Sequence, residues 1–208
     1  MTDDKIQTLK DDIAFMRALA QEGSSAPLLG GSILVAAGVT FAVAGVVHWS
    51  VMSGLVNLPK ATVGLVWPAA LFVFLGLLLW LRRGGNSRPG AQSPGNRAAS
   101  TAWASMGWTI FVIALAIAIL AWRTQSYIPA LIFPPLILGL YGMGWSVAAA
   151  MTGKRWIWMT AIGSYAGALL VAWLSVDPIV YLVYSVALLL LMALPGFILM
   201  RQEPSDTI

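Results

Sequence analysis

Cysteine is absent from this 208-residue chain, so disulfides and thiolate metal sites are excluded. Histidine occurs once, at His48, which rules out bis-imidazole ligation within the chain, and no carboxylate neighbours it in sequence to complete a mixed metal site. Acidic residues are almost as scarce, since Asp177 is the only one between Glu22 and Glu203. Carriers coupled to protons or sodium need an ionisable group or a broken helix near the membrane midplane, and no charge falls at such a depth here. No lysine lies in an apolar run to form a retinal Schiff base, and no phosphate-binding loop or dinucleotide-binding motif occurs. The expectation is a chain without enzymatic activity, cofactor or metal.

Charge as a whole is sparse. Only 10% of residues are charged and 59% are hydrophobic, against about 25% charged in an ordinary soluble domain. The apolar residues fall in six runs free of Asp, Glu, Lys and Arg: 28–51, 61–81, 102–122, 128–151, 156–174 and 179–200. At ~1.5 Å of rise per residue, each run matches the ~30 Å hydrocarbon layer of a bilayer. A transmembrane barrel would instead show ~10-residue segments of alternating polarity, which this chain lacks. The predicted fold class is all-α: a polytopic integral membrane protein with a bundle of six transmembrane helices in three hairpins.

The basic residues give the orientation. With the N-terminus in the cytosol, ten of them (Lys5, Lys10, Arg17, Arg82, Arg83, Arg88, Arg97, Lys154, Arg155, Arg201) fall inside, and only Lys60 and Arg123 fall outside. This cytosolic fringe accounts for the net charge of +4 with no nucleic acid as partner. Trp49, Trp122 and Trp173 mark the outer boundary and Trp80, Trp103, Trp156 and Trp158 the inner one, as interfacial belts. Gly54, Gly84 and Gly153 follow helix ends where a left-handed cap fits. The first run is too long for a signal peptide and lies behind a charged segment, so an uncleaved anchor is expected. Eight Arg against four Lys, with abundant Ala, Gly and Trp, fit the inner (cytoplasmic) membrane of a bacterium of high genomic GC content.

The chain divides into a cytosolic segment 1–26, a helical hairpin 28–81, a linker 82–100, a four-helix block 102–200 and a tail 201–208. The linker, RRGGNSRPGAQSPGNRAAS, has no apolar residue larger than alanine and reads as mobile. A weak threefold repeat is suggested by Leu65-Val66-Trp67-Pro68 and Leu131-Ile132-Phe133-Pro134 at matching helix entries. Gly31, Gly38 and Gly45 recur every seven residues, and Gly163 and Gly167 form a GxxxG. Such small-residue faces permit close backbone approach, either within the bundle or in a homo-oligomer.

Two features bear on function. Ile6, Leu9, Ile13, Met16 and Ala20, spaced 3, 4, 3 and 4 apart, form one apolar stripe on a short amphipathic cytosolic helix that Gly23 could end. Residues 1–23 hold five acids and three bases, so the stripe fits docking on protein better than on anionic lipid. The receiving surface is either a separate partner or this chain's own cytosolic loops. The second feature is proline. Pro68 and Pro134 interrupt the outer halves of two helices and free backbone carbonyls that must face protein or water. With His48, Trp67, Phe133, Tyr141, Tyr165 and Asp177 they outline an outward-facing aromatic pocket for a small neutral molecule.

Each of these residues also has a plainer role. Asp177 before Pro178 fits a helix N-cap, His48 beside Trp49 fits the interfacial belt, and Pro195-Gly196 fits a simple bend. Gly144-Trp145-Ser146 loosely resembles the Gly-x-Ser of intramembrane serine proteases. Ser146, however, lies 18 residues beyond Ile128 and so about 27 Å below the level of His48, which leaves no dyad; a bond back to a helix carbonyl suits it. The expected role is a non-enzymatic accessory or regulatory membrane protein that engages a partner through its N-terminal helix. The alternative is a small uncoupled transporter or channel opening through the proline-kinked pocket.

Overall fold

A computed structural model of the chain describes residues 7, 10–14, 29–83 and 93–203. Among them every regular element is helical and none is a strand. Six helices are long and apolar enough to cross a membrane: α1 Gly31–Met52, α2 Val63–Arg82, α3 Pro94–Thr124, α4 Phe133–Thr152, α5 Arg155–Trp173 and α6 Ile179–Gln202. Residues 10–14 are also helical, with Ile13 exposed. Ile6, Leu9, Met16 and Ala20 of the expected stripe lie outside the described residues, as do 84–92 of the linker and the tail from 204.

Helix boundaries follow from local chemistry. Asp177 Oδ1 accepts the Ile179 N–H at 2.8 Å, so the Asp-Pro pair caps α6 as the sequence predicts. Gly153 adopts φ +67°, and its N–H closes α4 on the Ala149 carbonyl at 2.8 Å. The expected linker end at residue 100 is corrected by the structure. Ser93 Oγ accepts the Asn96 N–H at 3.3 Å, α3 begins at Pro94, and Asn96 and Ala99 are buried. A serine cap directly ahead of proline starts a helix even within a Gly- and Pro-rich stretch, so residues 94–100 belong to α3, which packs here through Asn96 and Ala99.

α1 packs along α6 and against α2, α4 pairs most extensively with α5, and α3 rests on α4. The glycine repeat of α1 forms the seam with α6. Gly31 faces the Met200 backbone and the Gly196 carbonyl, Gly38 faces Ala193, and Gly45 faces Ser185 and the Tyr181 carbonyl. A methyl group on Gly38 would come within 2.6 Å of the Ala193 nitrogen, so only glycine lets these backbones meet. The GxxxG of α5 is likewise used within the chain, against Leu191 and Leu138. The centre of the bundle is built by Leu138 and Trp145 of α4, Ile157 and Val171 of α5 and Leu188 of α6, all fully buried. α2 adds only Ala70 to the buried set.

The bend expected at Pro195-Gly196 takes a specific form. A π turn, Leu189–Ala193, interrupts α6, with the Leu194 N–H reaching back to the Leu189 carbonyl. Pro195 has no N–H, which deprives the Leu191 carbonyl four residues earlier of its α-helical donor. Trp145 Nε1 supplies that donor at 2.8 Å.

One end of the bundle gathers the start of α1 and the end of α6. Gly30 and Gly31 each donate N–H to Glu203 Oε1 at 2.9 Å, and Leu29 N–H donates to Asn96 Oδ1 at 2.9 Å. Lys154 Nζ donates to Gln202 Oε1 at 2.6 Å, which brings the α4–α5 turn to the same end. Basic residues Arg97, Lys154, Arg155 and Arg201 therefore lie together at this end, here called the terminal end. The antiparallel run of α1 and α6 carries His48 and Asp177 to the opposite end.

Candidate functional site

His48, expected in an interfacial belt beside Trp49, is instead buried at 7% exposure. Other helices cover it. Trp67 of α2 donates Nε1–H to His48 Nδ1 at 2.9 Å, and Tyr181 of α6 stacks on the imidazole with ring centroids 3.5 Å apart and planes 18° apart. Because Nδ1 accepts this bond it carries no proton, and the neutral ring holds its hydrogen on Nε2. Sequence adjacency to Trp49 could not foretell this, since the covering rings stand 19 and 133 residues away.

The aromatic contacts continue into the bundle. Trp67 lies 6.3 Å, centroid to centroid, from both Tyr181 and Tyr184. Tyr184 of α6 and Tyr141 of α4 belong to one buried cluster. Beyond Tyr141, Trp103 of α3 packs at 6.3 Å, and edge to face on Trp145 at 5.2 Å. The row therefore runs from His48 near one end of the bundle to Trp145 beside the π turn, with side chains from α1, α2, α3, α4 and α6. Tyr141 and Tyr184 are 6% and 4% exposed, and neither hydroxyl has a hydrogen-bond partner among the described residues.

The eight residues expected to line a pocket do not converge. His48, Trp67 and Tyr141 join the row; Phe133 is half-buried against the core, and Pro134 is buried at the start of α4. Pro68 is exposed, because it sits about 100° around the helix from Trp67 and only one of the two can face α1. Tyr165 is 43% exposed on α5, its ring over Gly142 and its hydroxyl 3.3 Å from Ser146 Oγ. Asp177 is exposed and serves as the α6 cap. Ser146 Oγ donates to the Gly142 carbonyl at 2.8 Å, the back-bond that the sequence suggests.

Tyr181 and Tyr184 are not among the residues expected from the sequence. Their spacing with Leu188, three and four residues, marks one face of α6, and that pattern was the available signal. No group of three or more His, Cys, Asp or Glu side chains gathers among the described residues. What the row offers is aromatic faces and phenol hydroxyls. No protein-family model, no curated protein and no solved structure matches this chain.

Proposed function

We propose that the chain is an integral protein of a bacterial cytoplasmic membrane, crossing it six times as three hairpins in chain order with both termini in the cytosol. In this reading it is a non-enzymatic accessory protein that receives a partner on its N-terminal segment. The observation that carries the proposal is the tie between Glu203 and the N–H groups of Gly30 and Gly31. It joins the point where the N-terminal segment enters the bundle to the last turn of α6, and the Leu29–Asn96 bond joins the same point to α3. A partner pulling on residues 1–26 thus acts directly on the junction of three helices. The basic residues grouped at this end support a cytosolic placement.

The transporter reading draws less support, because Pro68, one of its two kinks, faces out of the bundle. Two experiments test the proposal. The chain lacks cysteine, so Ser87→Cys and Asn57→Cys each introduce one thiol. In intact cells an impermeant maleimide is expected to label Asn57→Cys alone, and labelling of Ser87→Cys would reverse the orientation. Deleting residues 1–22 should leave membrane insertion intact and abolish co-purification of a partner in mild detergent. Unchanged co-purification would remove the accessory role.

A further inference from the structure

We propose that His48 is a proton-sensitive catch: protonation at Nδ1 releases Trp67, and the first turns of α2 swing away from α1 and α6 at the end of the bundle opposite the terminal end. The inference depends neither on the orientation in the membrane nor on a partner at the N-terminal segment.

The bond itself sets the chemistry. An indole N–H can only donate, so the 2.9 Å bond from Trp67 Nε1 to His48 Nδ1 requires an unprotonated Nδ1. A charged imidazole carries hydrogen on both nitrogens, and two donors would then face each other at that distance. The ring is buried beneath α2 and α6, so relief of this clash requires a helix to move.

No charge around the ring offsets its own. α1 has no Asp, Glu, Lys or Arg, and neither do residues 63–81 of α2 or 179–200 of α6. The titratable groups that α6 brings to this end are Tyr181, stacked on the ring, Tyr184, and Asp177, which is exposed and caps the helix through Oδ1. Lys60, at the entry to α2, is exposed and of the same sign as an imidazolium. The stacked Tyr181 face attracts a cation, so the charged ring stays with α6 and Trp67 is the partner that leaves.

α2 is built to yield at this point. Ala70 is its one buried residue. Its other ring contact with α1, Phe74 on Phe41 at 5.6 Å, lies seven residues deeper on both helices, roughly 10 Å at helical rise. Pro68 follows Trp67 directly and deprives the Gly64 carbonyl of its helical donor. The turn that carries the catch therefore bends easily, while the phenylalanine pair holds the rest of α2 in place. His48 stands four residues from the end of α1 at Met52, about 6 Å, which puts it within a short opening of the water beyond that end.

The sign of the pH effect follows. The closed form holds only the neutral ring and the open form binds one proton. The ratio of open to closed therefore rises by up to tenfold for each pH unit of acidification below the ordinary histidine value of about 6.5.

The chain lacks cysteine, so spin labels can be placed at Leu65→Cys, exposed on α2, and Val176→Cys, exposed in the turn before α6, in the full-length protein in lipid nanodiscs. The distance between the labels, read from about pH 7.5 down to about pH 4, is expected to gain a second, longer population as the pH falls. A reference pair, Ile132→Cys at the entry to α4 and Leu170→Cys on α5, should keep its distance. His48→Asn, which offers an acceptor oxygen but no titrating ring, should hold α2 closed throughout. Trp67→Phe, which lacks the donor, should show the longer distance already near neutral pH, with little further change. Any of three results would overturn the catch: a single unchanged distance in the wild type, the same pH response in His48→Asn, or parallel lengthening in the reference pair. If His48→Asn does not fold, a wild-type pH response in Trp67→Phe overturns it instead.

Discussion

Trp145 and Leu191 are joined by a hydrogen bond that a third residue, Pro195, makes necessary. Proline removes the donor that an α-helix would bring to the Leu191 carbonyl, and the fully buried indole replaces it at 2.8 Å. Where no water is available such a carbonyl needs a protein partner, and the widened π turn directs it away from its own helix towards α4.

Trp145→Phe is therefore expected to destabilise the bundle by roughly 1–3 kcal/mol, since it leaves a buried carbonyl unsatisfied. Pro195→Ala restores a backbone N–H, so in its background the same Trp145→Phe change should cost less. Unfolding in a detergent titration, run as a double-mutant cycle, measures the coupling. Additive effects would show that indole and proline act separately.

The α1–α6 seam predicts a sharp contrast among glycines. Gly38→Ala places a methyl group against the Ala193 backbone and Gly45→Ala against the Ser185 hydroxyl and the Tyr181 carbonyl; a cost of about 1–3 kcal/mol is expected, the larger at Gly38 because helix backbone cannot give way locally. Gly76→Ala on α2 meets nothing within 4 Å and should be neutral or slightly stabilising. Thermal melting followed by size-exclusion chromatography separates the two classes.

Glu203 should show a graded series. Glu203→Gln retains an acceptor for the Gly30 and Gly31 N–H groups but loses the negative charge at the start of α1, whereas Glu203→Ala loses both. The expected order of stability is wild type, then Gln, then Ala, with the full loss on the scale of a helix cap, about 0.5–2 kcal/mol. Denaturant midpoints test the order.

At the other end, Trp67→Phe keeps a ring beside Tyr181 and Tyr184 but removes the donor to His48 Nδ1. A loss of about 1 kcal/mol is expected. In the His48→Ala background the same substitution should cost distinctly less, and equal costs would mean that the bond contributes nothing.

The elements of the fold were legible in the sequence because run length, proline and glycine act locally. Asp177-Pro178 announced a cap, Gly153 a stop, and the seven-residue glycine repeat a close helix contact, and each is present. The start of α3 was not legible, because Ser93-Pro94 is embedded in residues whose average composition says linker. Neighbour choice was harder still. The sequence placed His48 and Trp67 in one expected pocket, but in apolar helices no charge pair marks which face meets which, so nothing in it brought Tyr181 and Tyr184 to them. Proline in a membrane helix points to a cavity, yet only direction around the helix decides whether its kink faces inward, and at Pro68 it does not.

The glycine seam has a consequence for biosynthesis. The surface of α1 shaped by Gly31, Gly38 and Gly45 finds its match in residues 181–200, which are synthesised long after it: Tyr181 follows Gly45 by 136 residues (181 − 45) and Met200 follows Gly31 by 169 (200 − 31). Until then the first helix carries a groove with no occupant, and the bundle closes late, through contacts of very large sequence separation. A nascent chain stalled before Tyr181 would bear an open glycine groove that any helix with small side chains could enter, which makes synthesis of α6 the step that protects the protein from mispairing.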